Sequence, residues 1–308
     1  MRKILGINIS HNVSFAYFED EILKEYYEED RFNKIKNFMP EDDETGDYTY
    51  EYQVLKKFKD ITFDAVIFAS YDRGHFLIDH SVIKHFLKQI KYKKYLFFSE
   101  LHHIYHAVCG FYFSNFDEAI ALVSDGGGEC VKEFTFRVLQ SVHIIDKNKI
   151  TSKYKFVSNR NLAHFPYSEE FNEEILYDNI DCTMSNQYKA GLKYKNYLKK
   201  AGCFKIGEEG QMMGMAAYKD KETNLDKRVL EIANKAQEET LEDFIELMER
   251  AKKYSDCKNI ILSGGYHLNC SNNFKIVKKY PEYNFFVDPI SYDGGTAVGA
   301  AYYYENYL

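Results

Sequence analysis

Three of the ten histidines fall within "SELHHIYHAVCGFYFS" (99–114): His102, His103 and His106. On a helix, residues four apart share a face, so His102 and His106 aim two imidazoles at one point and can hold the same metal ion. His103 lies about 100° round the helix and reads as a residue behind the ligands or against a bound molecule. The pattern is not HExxH: the position after the first His is His103, and no Glu stands there to act as a base. Two imidazoles need at least one further donor. A carboxylate from a loop at a strand end, Asp125 or Asp293, is the natural candidate. Such a set with open positions suits Fe(II), and Zn, Mn or Ni accept the same donors. The competing reading is a group of core histidines satisfied by hydrogen bonds.

The residues that could surround such an ion lie in four stretches of small and polar residues: "NISHN" (8–12), "SDGGGE" (124–129), "LSGGYHLNCSNN" (262–273) and "YDGGTAVGAA" (292–301). Each follows a predicted strand, and in an open α/β sheet ligands collect at the carboxyl ends of strands, so the four loops are expected to converge on one cleft. Gly126, Gly127, Gly264, Gly265 and Gly294 let backbone N–H groups approach phosphate oxygens. Helix starts predicted at Ser271 and Gly295 add partial positive charge. None of the four is a GxGxxG fingerprint or a GxxxxGK[ST] loop, so neither a Rossmann nor a Walker-type site is supported. Taken singly, each Gly pair reads as a turn.

Two runs of elements must position these loops. "KILGINIS" (3–10) reads as a buried strand, followed by a hairpin turning near Glu19–Glu21. The acidic segment 39–51 reads as a loop, "YQVLKKF" begins a helix, and 63–70 is a second buried strand. "SVIKHFLKQI" reads as helix, "KYLFFS" as strand, and Leu101–Phe113 as the histidine-bearing helix. At 118–157 the pattern restarts as strand, polar glycine turn, strand, strand. A duplicated α/β unit is the economical explanation, dividing the chain into 1–117 and 118–308. The stretch 158–222 reads as irregular. From Asn224 to Tyr254 the apolar residues follow the 3.6-residue period of an amphipathic helix. The chain closes with two strand–loop–helix units, and no Pro-, Gly- or Ser-rich linker separates the halves.

The whole chain narrows the function classes. At 308 residues it suits two closely packed halves. No apolar run approaches the roughly 20 residues that span a bilayer. The N-terminal "MRKILGINIS" is too short in its apolar part for a signal peptide, so the expected location is cytoplasmic with no membrane partner. Six scattered cysteines without a CxxC pair argue against a zinc ribbon or a disulfide framework. A net charge of −7 does not draw the chain to nucleic acid. Two basic stretches, 84–95 and 189–200, interleave lysine with aromatic residues as a nucleic-acid surface would. A solvated helix face is the plainer reading of both.

Together, the loops and the histidine pair resemble one family, the NodU/CmcH-type O-carbamoyltransferases. The matching stretches are "ILGINISHNVS" with "EEDRFNKIKN", "HHIYHAVCGFYFS", "ALVSDGGGE", "MMGMAAY", "LSGGYHLNCSNN" and "DPISYDGGTAVGAA", in the family's order and over nearly the whole chain. The fold this resemblance implies is the Kae1-like member of the actin/Hsp70/sugar-kinase group, a duplicated RNase H-like α/β unit with a nucleotide cleft. It implies His102, His106 and Asp293 as iron ligands, with Asp125 at the metal and the acceptor hydroxyl. It implies His11 as catalytic base, Lys36 near the carbamoyl or phosphate group, and Gly264, Gly265 and Asn269 against the nucleotide. No role attaches to His267, which reads as core.

The implied reaction moves a carbamoyl group from carbamoyladenylate, made from carbamoyl phosphate and ATP, to an acceptor hydroxyl. The acceptor would be a sugar-like metabolite or a hydroxymethylated nucleobase, free or in nucleic acid. The chain departs from the family's pattern at three points. Asn12 replaces the Asp of "SHD", Gln211 replaces the lysine before "MGLA", and no YrdC-like adenylating domain follows "AVGAA". A separate YrdC-like protein is therefore the expected partner. Two other readings stand beside this one: a threonylcarbamoyl-transfer protein acting on tRNA, and a nucleotide-binding regulator or subunit of a two-protein complex that kept the fold and lost turnover.

Overall fold

The apolar runs "KILGIN" and "EAIALVS" form the central strands of two sheets. The computed structural model describes residues 1–40, 48–70, 80–131, 136–159, 172–202 and 207–308. In the first half, β1 (Lys3–Asn8), β2 (Ser14–Glu19) and β3 (Ile22–Glu28) precede α1 (Asp30–Asn33) and α2 (Gln53–Lys57). Then come β4 (Thr62–Phe63), β5 (Ala65–Ala69), α3 (His80–Leu87), β6 (Lys91–Tyr92), β7 (Tyr95–Phe97) and α4 (His102–Ser114). The second half runs β8 (Glu118–Ser124), β9 (Cys130–Val131), β10 (Phe136–Asp146), β11 (Ile150–Asn159), β12 (Asn172–Tyr177) and β13 (Ile180–Ser185). It continues with α5 (Ala190–Ala201), α6 (Glu209–Ala216), α7 (Lys227–Ala251), β14 (Asn259–Ser263), α8 (Cys270–Lys279), β15 (Asn284–Val287) and α9 (Thr296–Tyr307).

The first sheet has the order β3-β2-β1-β5-β7, and the second contains β11-β10-β8-β14-β15 with β13 and β12 added beyond β11. In both, the central strand pairs antiparallel with the next strand and parallel with the later one. The duplication read from the sequence is therefore present strand for strand. The β2–β3 turn falls where expected, with Asp20 and Glu21 both at positive φ, the geometry a two-residue hairpin loop requires.

Each sheet is covered on both faces. Leu5, Ile7, Phe15 and Tyr17 pack against α2 and α3 residues such as Val54 and Phe86. Ile120, Leu122, Ile260 and Leu262 pack against Phe244, Leu247 and Met248 of α7. Between the sheets lie α4 and α9, and each serves the opposite half. Ala297, Val298, Ala300 and Ala301 of α9 cover Ile4, Ala16 and Ile67 of the first sheet. Ala107, Val108 and Phe111 of α4 cover Ala119, Ala121, Val123 and Ile261 of the second. The small residues let the two helices touch: a Cβ on Gly299 would stand 1.9 Å from the Tyr105 carbonyl oxygen.

The sequence reading needs one correction here. The stretch 158–222 is not irregular, because β12, β13, α5 and α6 lie within it. Its strands alternate polar residues, and Leu176 is 70% exposed, so no apolar run marks them. Residues 160–171 and 203–206, with Cys203, and 41–47 of the acidic loop lie outside the described residues. The last two helices begin at Cys270 and Thr296, within one residue of expectation.

Candidate metal centre

The first turn of α4 is built to face inward. Nearly every residue from His102 to Phe111 is buried, because the helix is enclosed by β8, β14 and α9, so its three histidines are buried with it. His102 and His106, one turn apart, bring their Nε2 atoms to 3.2 Å. Asp125, at the end of β8, places Oδ2 3.6 Å from His102 Nε2. Asp293, just before α9, places Oδ1 3.8 Å from both imidazole Nε2 atoms. One donor atom from each of the four lies within 4.8 Å of every other.

These distances fit a shared ion. With metal–donor bonds of roughly 2.0–2.2 Å, neighbouring donors sit roughly 3–3.5 Å apart. Two buried carboxylates close together also need compensating charge. Burial works to raise both acids. For Asp125 it is outweighed by the His102 hydrogen bond and the charges of His106 and Lys195, and the carboxyl is held well below its ordinary range. Asp293 is held low in the same way by His11, His102 and His106. Burial works to lower His102, yet Asp125 and Asp293 raise it. His106 Nδ1 has no hydrogen-bond partner among the described residues, so the ring is held by the packing of the helix and by the contacts of Nε2 to His102 and Asp293.

Asp293 joins this cluster to a second group. Its Oδ2 accepts from Ser10 Oγ at 2.8 Å and lies 3.2 Å from His11 Nε2. The His11 side chain is 38% exposed while that of Asp293 is 2% exposed, so His11 stands at the mouth of the site. His11 Nδ1 lies 3.0 Å from Asn12 Oδ1. The loop is pinned by Asn8, whose Oδ1 accepts from Ser10 and whose Nδ2 donates to the carbonyls of His11 and Asn12. Asn8 and Ser10 were not singled out in the sequence, where nothing marks them apart from the loop they share with His11.

His103 turns away, as the helical step requires. Its Nδ1 lies 2.8 Å from Ser141 Oγ, which lies 2.8 Å from His143 Nε2. The His103 backbone N–H donates to Glu129 Oε2, capping the start of α4 from the other half, and Lys155 pairs with Glu129 at 2.7 Å. Glu129 is a further residue the sequence reading passed over, although it closes "SDGGGE". Burial lowers His103 to about 4 and His143 to about 3.

The glycine loops meet the same centre. Gly127 and Gly265 donate their N–H groups to the two oxygens of Asp125, at 3.3 and 3.2 Å. The Gly294 carbonyl accepts from Ser14 at 2.7 Å. The Asn269 side chain caps α8 through Asn272 N–H and donates to Gln237, at the rim of a cavity of about 360 Å³. That cavity is lined by Met213, Ala216 and Ala217 with Asn234, Gln237 and Ser271. His267 is core: it is buried, its Nδ1 lies 3.2 Å from Asn273 Oδ1, and burial lowers it to about 4. Lys36 is not drawn into the cluster. It is exposed and donates to the Gly207 carbonyl at 3.0 Å, while Asn37 next to it accepts from Asn12.

The family model of the carbamoyltransferase N-terminus matches residues 16–302 of this chain. A protein of Synechocystis sp., described as uncharacterized protein sll1178, is 26% identical over 228 residues. That match takes in 67% of this chain and 36% of the relative, so the chain spans about a third of its length. Among solved structures, full-length HypF in its phosphate- and nucleotide-bound form superposes with a TM-score of 0.57 at 11% identity, over 99% of this chain and 55% of HypF. T. kodakarensis HypF gives 0.53 at 12%, over 99% and 48%. Component A of the Acidaminococcus fermentans (R)-2-hydroxyglutaryl-CoA dehydratase gives 0.50 at 10%, over 98% and 97%. At such identities the likeness is one of fold, that of the actin/Hsp70/sugar-kinase group, in which two such α/β units are duplicated.

Proposed function

The chain belongs to the carbamoyltransferase N-terminus family, and from that premise we propose that it performs a transfer step, moving a carbamoyl group from carbamoyladenylate to an acceptor hydroxyl. The hydroxyl oxygen bonds to the carbamoyl carbon, the bond from that carbon to the phosphate oxygen breaks, and AMP leaves. In this reading Asp293 accepts from His11 Nε2–H and the Nδ1 lone pair takes the hydroxyl proton, while Asn12 Oδ1, which stands 3.0 Å from Nδ1 and can only accept, gives way to the acceptor. Asn12 lacks the charge of an aspartate but keeps a contact to the ring at 3.0 Å.

His102, His106, Asp125 and Asp293 are the residues that would hold Fe(II). Bound there, the ion supplies positive charge for the carbonyl oxygen as it becomes an oxyanion. The cavity between α6, α7 and α8 has an apolar wall with amide groups at its rim, which suits a purine base. The Gly264–Asn269 loop runs from Asp125, which accepts from the Gly265 N–H, to Asn269 at the cavity rim, and it is the proposed seat of the adenylate phosphate. A separate adenylating protein is the proposed source of the donor, and a sugar-like or hydroxymethylated nucleobase hydroxyl is the proposed acceptor.

The observation that carries this reading is Asp293, with one oxygen turned to the histidine pair and the other to His11. The test is elemental analysis after anaerobic purification, with wild type set against His106→Ala. About one iron per chain in wild type, with affinity reduced at least about 100-fold in the variant, is expected from loss of a ligand. Turnover of carbamoyladenylate by the wild type should be lost with the iron. No metal uptake by the wild type, even with added Fe(II), would overturn the reading.

A further inference from the structure

The lysine-rich stretch 189–200 is sorted by its helix into three groups. Lys189 and Lys193 are committed to Asp243, at 3.2 and 2.9 Å, and Lys189 also binds Glu246. Lys199 and Lys200 are exposed in the last turn, with the Lys200 ammonium 5.0 Å over the Tyr197 ring. Lys195 differs from all four. It is half-buried, and among the described residues its ammonium has no hydrogen-bond or ion-pair partner.

Its direction is set by the helix. Gly191 brings α5 so close to the loop after β8 that a Cβ there would stand 2.7 Å from the Asp125 carbonyl oxygen. Lys195 is one turn further along the same face, and helical side chains lean back toward the N-terminus. The lysine therefore runs back over that loop: a Cβ on Gly126 would stand 2.4 Å from Lys195 Nζ and 3.0 Å from its Cε. Gly126 leaves the room that this side chain occupies.

Lys195 acts on Asp125 through its charge, but no carboxylate among the described residues forms an ion pair with it. Asp125 is turned to His102 and to the N–H groups of Gly127 and Gly265. Lys155 is held by Glu129 and Lys36 by the Gly207 carbonyl. Helix α6, "EGQMMGMA", carries no cation to bring to the loop. A half-buried ammonium over a glycine loop, with no hydrogen-bond or ion-pair partner among the described residues, is arranged for an anion that arrives from outside.

We propose that Lys195 is a phosphate-binding residue, its ammonium meeting the phosphate of a nucleoside monophosphate, free or as the adenylate, over the Asp125–Gly127 loop. This rests on the nucleotide reading above and adds to it the residue that receives the charge of the leaving group.

Calorimetric titration of wild type, Lys195→Met and Lys195→Arg with AMP and with adenosine tests it. Loss of a charge-assisted contact should weaken AMP binding by Lys195→Met about tenfold to a hundredfold. Adenosine affinity and iron content should stay unchanged, and Lys195→Arg should recover most of the loss. Equal AMP affinity in wild type and Lys195→Met would overturn the assignment. So would AMP and adenosine weakening together, which marks a structural prop, or iron falling with AMP, which marks an effect through Asp125. If the wild type binds neither AMP nor adenosine, the nucleotide reading falls and this assignment falls with it.

Discussion

The two halves share a strand order and a closing helix, α4 in one and α9 in the other, and differ in what is added to them. The first sheet is five strands with short helices, and its contribution to the site is one loop, Asn8–Asn12. The second is widened by β12 and β13, and the chain between β13 and β14 adds α5, α6 and α7, which supply Lys195 and two walls of the cavity. Asp125, Gly264, Gly265 and Asp293 all belong to this later part of the sequence. On the proposed reading, one half of the duplicated scaffold presents a base to the acceptor and the other accumulates anion- and base-binding surface. The histidine pair comes from the first half's chain and sits against the second half's sheet.

If that division is right, His11→Ala should remove turnover without removing binding. A loss of about 100- to 10,000-fold in the transfer rate is expected from deleting a general base, measured with carbamoyladenylate and an accepted hydroxyl compound. Iron content and AMP affinity should stay at wild-type levels. A drop in iron would break the comparison by making the first-half loop part of the metal site.

The cores offer a sharper contrast. Phe15 and Phe244 are both fully buried, one in each half. Truncation of either to Ala should cost about 3–5 kcal/mol in urea unfolding. Only Phe244→Ala should also weaken AMP, because the ring packs on Tyr266 and His267 under the Gly264–Asn269 loop. Equal effects on AMP would mean that the nucleotide surface is not confined to the second half.

Acid should act on the second half through its buried imidazoles. His267 is lowered to about 4 by burial, from an ordinary value of 6.5. A histidine lowered in the folded state is neutral there while the unfolded chain takes up a proton, so stability is full above about pH 6.5 and falls toward pH 4. Between pH 7 and 5, His267 alone should account for about 2 kcal/mol of lost stability. Urea titrations at both pH values should show that loss, and His267→Phe should reduce it. An unchanged pH dependence in the variant would remove His267 from the account.

Much of this was legible in the sequence where local signals were strong. The central strands are unbroken apolar runs, α7 keeps its period from Val229 to Met248, and the histidine helix is within one residue of its expected bounds. The i,i+4 geometry separated His103 from His102 and His106 before any coordinates. What carries no signal is weakly patterned: β13 buries Thr183 and Ser185 along with Cys182 and Met184, so no apolar run marks it, and the lysines of α5 obscure a stripe of Tyr194, Tyr197, Leu198 and Ala201. The remaining gap is long-range. Ser10 meets Asp293 across 283 positions, and Glu129 caps a helix that precedes it by a turn of chain and a strand. Spacing along a sequence carries no trace of such contacts, and a lysine crossing a glycine is invisible until the fold sets them together.

The exchange of α4 and α9 between the sheets has a mechanical consequence. Each half lends the other the inner cover of its sheet, so the first 117 residues without the rest would leave α9's seat bare, and the remainder would lack α4. Each fragment would keep the core on the outer face of its sheet and lose the cover of the inner one, and the two should be recovered in soluble form only when produced together. The chain is built as two units interlocked by their last helices, and the His–Asp cluster lies at the lock.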